Sequence, residues 1–321
     1  MANFIQPSLP HPDVSKGYPA TYNGTELPNN ATNNEDPGSI AKYNLETLIF
    51  FTTTLPFIVF GLWGNGTVIW LLGVRIKRNT FSTYIVNLSA ADIGLLIVES
   101  ILLTYWSISN SYRDLVSVLF NDLFLFMYSA GQFLLTVISI DRCLSVLFPL
   151  WYRCHRPTHL SSTVSALLWI LSLLLPAIHF TLFLTHKFEY YSLRPLQIII
   201  NGTICLPLLT ISTLTLFIKV YFKSQPYQRG KRLVAILLTL LFFLIFSFPL
   251  NVFHFMKMLN QHLPSYIMRY GYFCACLNSS VNPLIYFLVG RQRRDKTRRS
   301  MESILKKIFV EEGESREELE T

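Results

Sequence analysis

Seven long apolar blocks limit what this chain can fold into. They fall near residues 46–74, 82–107, 115–147, 164–186, 196–221, 232–257 and 266–289. Each is close to the roughly 20 residues that an α-helix needs to cross the hydrocarbon core of a bilayer. Inside that core every backbone N–H and C=O must be satisfied within the protein, so only helices and closed barrels can span it. A barrel would read as alternating segments of about ten residues, and these blocks are continuous. Joints as short as Arg75-Ile76-Lys77-Arg78-Asn79 leave neighbouring helices antiparallel. Only 14% of the 321 residues are charged and 51% are hydrophobic, with a mean hydropathy of +0.38. An average soluble domain carries roughly 25% charge, so soluble, disordered and disulfide-scaffold classes are excluded. The expected fold is an all-α membrane protein, a bundle of seven transmembrane helices.

The formal charge of +8 would suit nucleic acid in a soluble protein, but here its placement reads as topology. Of the 27 basic residues, 20 fall on one side, among them Arg75, Lys77, Arg78, Arg142, Arg153, Arg156, Lys219, Lys223 and nine beyond the last span. The positive-inside rule makes that side cytoplasmic, which puts the N-terminus outside and the C-terminus inside. Residues 1–45 then form an extracellular, disordered tail whose Asn23 and Asn30 are glycosylation acceptors. Asn201 matches the same pattern within the fifth block, where its use is open. The seven-span core is 46–289. Residues 290–309 place Met301, Ile304, Leu305, Ile308 and Phe309 on one face beside Arg and Lys, so a short amphipathic eighth helix is expected on the anionic inner leaflet. Residues 310–321 form an acidic tail.

Polar residues inside spans are costly and therefore informative. Span one carries Gly64-Asn65-Gly66, span two Leu88-Ser89-Ala90-Ala91-Asp92, span three Asp141-Arg142-Cys143 and span four Trp169. Span five has Pro207, span six Phe246-Ser247-Phe248-Pro249 and span seven Asn278-Ser279-Ser280-Val281-Asn282-Pro283-Leu284-Ile285-Tyr286. In this order the set resembles rhodopsin-like G-protein-coupled receptors over about residues 46–309. The stretch from Asp141 to Pro157, with Ile69-Trp70-Leu71-Leu72-Gly73 and Tyr286-Phe287-Leu288-Val289-Gly290, is similar to the Mas-related receptors. Members of that family sense peptides and small amines. Ser247 stands where most of the class has Trp, and Gly131 replaces the usual polar residue of a sodium pocket.

The resemblance implies a ligand-activated receptor of the plasma membrane that opens its cytoplasmic end to a heterotrimeric G protein, with arrestin a further candidate partner and no nucleic acid. Asp141 is expected to hold the Arg142 guanidinium at rest by a charge-assisted pair, and Pro249, Asn282, Pro283 and Tyr286 to serve the helix motion. Asp92 is expected among Asn65, Asn278 and Asn282; a bound Na⁺, a protonated carboxyl and a water network are all open there. Glu99 lies seven residues beyond Asp92, about 10 Å further along its helix, and Asp122 lies twenty residues before Arg142, about 30 Å away. Both acids could meet a ligand's cation or an internal partner. Phe124, Tyr128, His254 and Tyr272 are candidates for the same cavity or for simple packing. Phe124 stands where amine receptors carry Asp, and Cys276 where opsins carry their retinal Lys. The five cysteines suggest no extracellular disulfide, and no metal centre is expected. No HExxH, Gly-x-Ser-x-Gly or Walker motif is present, so an enzyme is disfavoured. A transporter would show repeated halves, and none is visible; a non-signalling receptor partner or scavenger remains the alternative.

Overall fold

A computed structural model describes residues 37–75, 80–108, 114–154, 156–157, 159–185, 194–222, 241–242, 244–256, 259 and 265–290. Asn23, Asn30, residues 291–309, the acidic tail and the side chain of Tyr286 lie outside the described set. The first span is α1 (Pro37–Trp70), which runs on as a π-helical turn over Leu71–Arg75. Next come α2 (Thr80–Ile108), α3 (Leu115–Leu147), the short α4 (Pro149–Cys154) and α5 (Leu160–Leu184). The fifth span consists of α6 (Arg194–Ile200), a π turn over Asn201–Cys205 and α7 (Leu206–Phe222). α8 (Leu244–Met256) lies in the sixth block and α9 (Ser265–Gly290) fills the seventh. No strand occurs among the described residues. Five of the helices are long and apolar enough to cross a membrane.

Helix α1 begins earlier than the sequence suggests. The expected tail of 1–45 is helical from Pro37, because proline fits the first helical turn, where its missing N–H has no partner to lose. Asp114 precedes α3 in extended geometry and accepts from the Tyr105 hydroxyl of α2. Pro149 heads α4 in the same way that Pro37 heads α1.

Lipid offers apolar side chains no penalty, so helix association relies on close packing, small residues and hydrogen bonds. Gly61 shows the requirement. A Cβ there would sit 2.6 Å from Ser280 Oγ and 3.0 Å from the Ser280 Cα, so only glycine lets α1 and α9 approach. The contact is then stitched by Ser280 Oγ donating to Phe57 O at 2.8 Å and Asn65 Nδ2 donating to Ser279 O at 2.9 Å.

Helix α3 is the central element, packed against α2, α5 and α7. Two apolar clusters flank it along its length. Leu72, Leu88, Leu134 and Leu209 belong to the one toward Arg142, and Leu96, Leu102, Phe124 and Leu250 to the other. Helix α5 instead turns Leu167, Ile170, Leu171 and Leu174 outward, a face suited to lipid. The π turn in the fifth span aims Asn201 inward, where it is 0% exposed and donates to Ser129 Oγ at 2.9 Å. Gln197 donates to the same hydroxyl at 2.7 Å. An interior amide so engaged cannot carry a glycan.

Candidate functional site

At one end of α3, Asp141 and Arg142 are both buried. Their mutual approach is loose, with Arg142 Nη2 3.8 Å from Asp141 Oδ2. The short ion pair is with Arg156, whose Nη2 lies 2.7 Å from Asp141 Oδ1. Tyr152 of α4 donates to Asp141 Oδ2 at 2.8 Å, and the Arg156 guanidinium stacks 4.4 Å from the Tyr152 ring. Arg156 also donates to Ser161 of α5 at 3.2 Å. The expectation of an Asp141–Arg142 pair thus needs amending. The carboxylate turns mainly to the α4–α5 connection, where Arg156 reaches it at 2.7 Å against 3.8 Å for its chain neighbour Arg142.

Within α2 lies Asp92, buried, accepting from Asn282 Nδ2 at 2.8 Å and facing the Ser279 hydroxyl. Asn65 does not join that carboxylate. It donates to Gly61 O and Ser279 O, both at 2.9 Å, and so ties α1 to α9. Asn278 is buried in the same helix, its Oδ1 without a partner among the described residues. A sodium ion needs several converging oxygens; beside the Asp92 carboxylate the Ser279 hydroxyl offers one, whereas Asn282 turns an amide N–H to it. At Gly131 a Cβ would meet nothing within 4 Å, so α3 adds no ligand from that position. This donor set fits a hydrogen-bonded carboxyl better than a sodium cage.

Glu99 is 1% exposed, and neither carboxylate oxygen has a hydrogen-bond partner among the described residues. An ionisable side chain left so is expensive inside a membrane, and its position is a functional signal. Asp122 is different. It is buried rather than at the rim, and His179 Nδ1 of α5 lies 2.7 Å from its Oδ2. Asp122 therefore has an internal partner that the sequence did not reveal.

The aromatic candidates do come together. Phe124 meets Tyr272 edge-on at 4.6 Å between centroids, and Tyr272 meets Trp106 at 5.4 Å and His254 at 6.3 Å. Tyr272 also donates to Asn121 Oδ1 at 3.1 Å. Phe124 stacks on Tyr128 at 6.0 Å with planes 10° apart. The Tyr128 hydroxyl points toward α8, 3.0 Å from Ser247 O and 2.8 Å from Ser247 Oγ. Gln132 and Asn251 each donate to it at 2.9 Å. Four buried polar side chains thus meet between α3 and α8 beside Pro249.

Arg156, Tyr152, His179, Gln132 and Asn251 all escaped the sequence reading. Gln132 had a local signal, because it follows Tyr128 by one helical turn and so shares its face. The others depend on which helices become neighbours. The five cysteines, Cys143, Cys154, Cys205, Cys274 and Cys276, carry free thiols.

With this geometry in view, the relatives fall into place. Residues 64–286 match the family model of the 7 transmembrane receptor (rhodopsin family). The chain is 39% identical over 264 residues to the Mas-related G-protein coupled receptor member D of Macaca fascicularis, covering 79% of this chain and 82% of that one. It is 38% identical over 268 residues to the human member D, covering 79% and 83%. It is also 35% identical over 263 residues to the rat Proto-oncogene Mas, covering 78% and 81%.

Proposed function

We propose a function from one premise: the chain belongs to the Mas-related group of the rhodopsin family of G-protein-coupled receptors. It is a multi-pass membrane receptor and not an enzyme. Our reading is that it stands in the plasma membrane with its N-terminus outside, binds an extracellular peptide or small molecule bearing a cation, and activates a heterotrimeric G protein.

The observation that carries the ligand assignment is Glu99, a buried carboxylate with no hydrogen-bond partner among the described residues. A ligand ammonium or guanidinium would neutralise it in a low-dielectric site, where such pairs are strong. Tyr272, Phe124 and His254 supply aromatic faces for the rest of the ligand and for cation–π contact. Asp122 is held by His179, which leaves Glu99 as the principal counter-ion.

At the far end, coupling falls to Arg142. Asp141 is drawn 2.7 Å from Arg156 and stays 3.8 Å from Arg142, so little electrostatic work separates Arg142 from its neighbour when the bundle opens. Pro249 and Pro283 each remove a helical hydrogen bond and give α8 and α9 a place to bend. Asn282, bonded to Asp92, ties the α9 bend to α2, and Tyr286 follows it one turn on. The basic rim and the 290–309 segment favour anionic lipid beside the G-protein face, with arrestin a candidate second partner.

The test is second-messenger and arrestin signalling across basic peptides and small amines in cells expressing the wild type or Arg142→Ala at matched surface levels. The expected result is a ligand-evoked response that Arg142→Ala abolishes. Near-normal signalling by that variant, or an ion current in place of a second messenger, would overturn the reading.

A further inference from the structure

Between α3 and α8 lies a cluster that no step of the receptor reading above uses. Its centre is the Tyr128 hydroxyl, fully enclosed by polar groups: Ser247 O at 3.0 Å, Ser247 Oγ at 2.8 Å, Gln132 Nε2 at 2.9 Å and Asn251 Nδ2 at 2.9 Å. Gln132 Nε2 also donates to Ser247 Oγ, and Asn251 Nδ2 to Ser247 O at 3.0 Å. Ser247 is 0% exposed, Gln132 1% and Asn251 5%.

Three features make this more than packing. First, its place: Ser247 and Asn251 bracket Pro249, whose missing N–H leaves that turn of α8 weakly held. Tyr128 donates to the Ser247 carbonyl two residues before the proline, so α3 grips α8 beside the turn where Pro249 leaves the Ile245 carbonyl without its helical donor. Second, its connection: Phe124, one turn along α3, stacks on Tyr128 at 6.0 Å and meets Tyr272 at 4.6 Å. A ligand that displaces the Phe124–Tyr272 contact therefore pushes on the ring that carries the hub hydroxyl. Third, its incompleteness: Gln132 Oε1 and Asn251 Oδ1 have no partner among the described residues. A half-satisfied buried network is costly, so a packing in which these amides separate competes closely with the one seen.

We infer that Tyr128, Gln132, Ser247 and Asn251 form a positioning latch that holds α8 against α3 at the Pro249 turn in the resting receptor and releases when ligand shifts the Phe124–Tyr272 layer. The inference rests on the receptor reading above and adds the residues that carry the signal between its two ends. They act through α8 and touch no G protein themselves.

The experiment reads agonist-free G-protein activation as Gα–Gβγ dissociation, normalised to receptor at the cell surface. Tyr128→Phe keeps the ring and its stack but deletes the hub hydroxyl. Its basal activation should rise about three- to tenfold, the shift expected for losing about one net hydrogen bond from one of two states. Gln132→Met should do the same, and the double variant should fall short of the summed effects because both break one unit. A purely structural role would instead lower surface expression with no gain in basal signal. Basal activation at or below wild type in both single variants would overturn the latch, as would full additivity. Should either fail to reach the surface, Ser247→Ala, which removes one hydroxyl, is judged by the same rule. Adding Arg142→Ala separates the two levels of the argument. A rise that persists in Tyr128→Phe with Arg142→Ala contradicts the receptor reading. A wild type that signals through Arg142, with no rise in Tyr128→Phe, contradicts the latch alone.

Discussion

At the scale of single residues, the two outer acids differ in what answers their charge. Asp122 has His179 at 2.7 Å, while Glu99 has no hydrogen-bond partner among the described residues. Breaking a desolvated charge pair costs on the order of 2 kcal/mol or more. Glu99→Gln should therefore lower the potency of a cationic agonist by roughly 30-fold and leave a neutral agonist unaffected. Concentration–response curves for both ligand types check this, and equal potency for the cationic one would remove Glu99 from the site. Asp92 calls for a different measurement. Because amide and hydroxyl donors face its carboxylate, replacing Na⁺ with a large organic cation should leave agonist binding unchanged. Asp92→Asn should still alter signalling. Binding that weakens or strengthens steeply with Na⁺ would restore the ion. Glu99, Asp92 and Arg142 were all legible in the sequence because a charge inside an apolar block stands out. Arg156 and His179 were not, since nothing local says that the α4–α5 connection folds back on Asp141 or that α5 meets α3.

At the scale of elements, glycine decides how near α1 and α9 can come. Gly61→Val would drive a side chain into Ser280, 2.6–3.0 Å from where its Cβ must sit. Overpacking of this kind costs about 1–3 kcal/mol, so thermal stability and surface expression should fall. Gly66→Val, five residues along the same helix, meets nothing within 4 Å and should be tolerated. Equal behaviour of the two would refute the packing seen here. Most helix extents were readable from the sequence: α3 spans 115–147 in both sequence and structure, bounded by Arg113-Asp114 at its start and by Pro149, which disfavours helix at the residue before it, at its end. The π turn at Asn201–Cys205 was not readable, since Gly202 and Pro207 mark a weak point in the helix without saying which irregularity forms there; it appears where Asn201 and Gln197 both reach Ser129. That turn also bears on the Asn201-Gly202-Thr203 pattern, because it buries the asparagine. Asn201→Gln should leave the glycan mass of the mature protein unchanged, as gel shift with and without deglycosylation will tell. A loss of mass would contradict the interior placement.

At the scale of the whole molecule, charge is scarce within the apolar blocks and dense in the segments between and after them. The sequence places 20 of 27 basic residues in the joints and tail assigned to one side, and on the positive-inside rule we propose that this side is cytosolic and carries the coupling site. The polar residues that remain inside form a discontinuous series from Trp106 and Tyr272 through Tyr128 and Ser247 to Asp92–Asn282 and Asp141–Arg156. Each tier joins different helices, so a shift at one end need only break one set of bonds to favour another packing. The most direct test is nucleotide exchange by purified heterotrimeric G proteins mixed with the receptor in lipid nanodiscs, wild type beside Arg142→Ala. The account predicts that the wild type accelerates exchange on at least one G protein and that Arg142→Ala removes the acceleration while the receptor stays folded. No acceleration by the wild type on any class of G protein, or equal acceleration by Arg142→Ala, would contradict it.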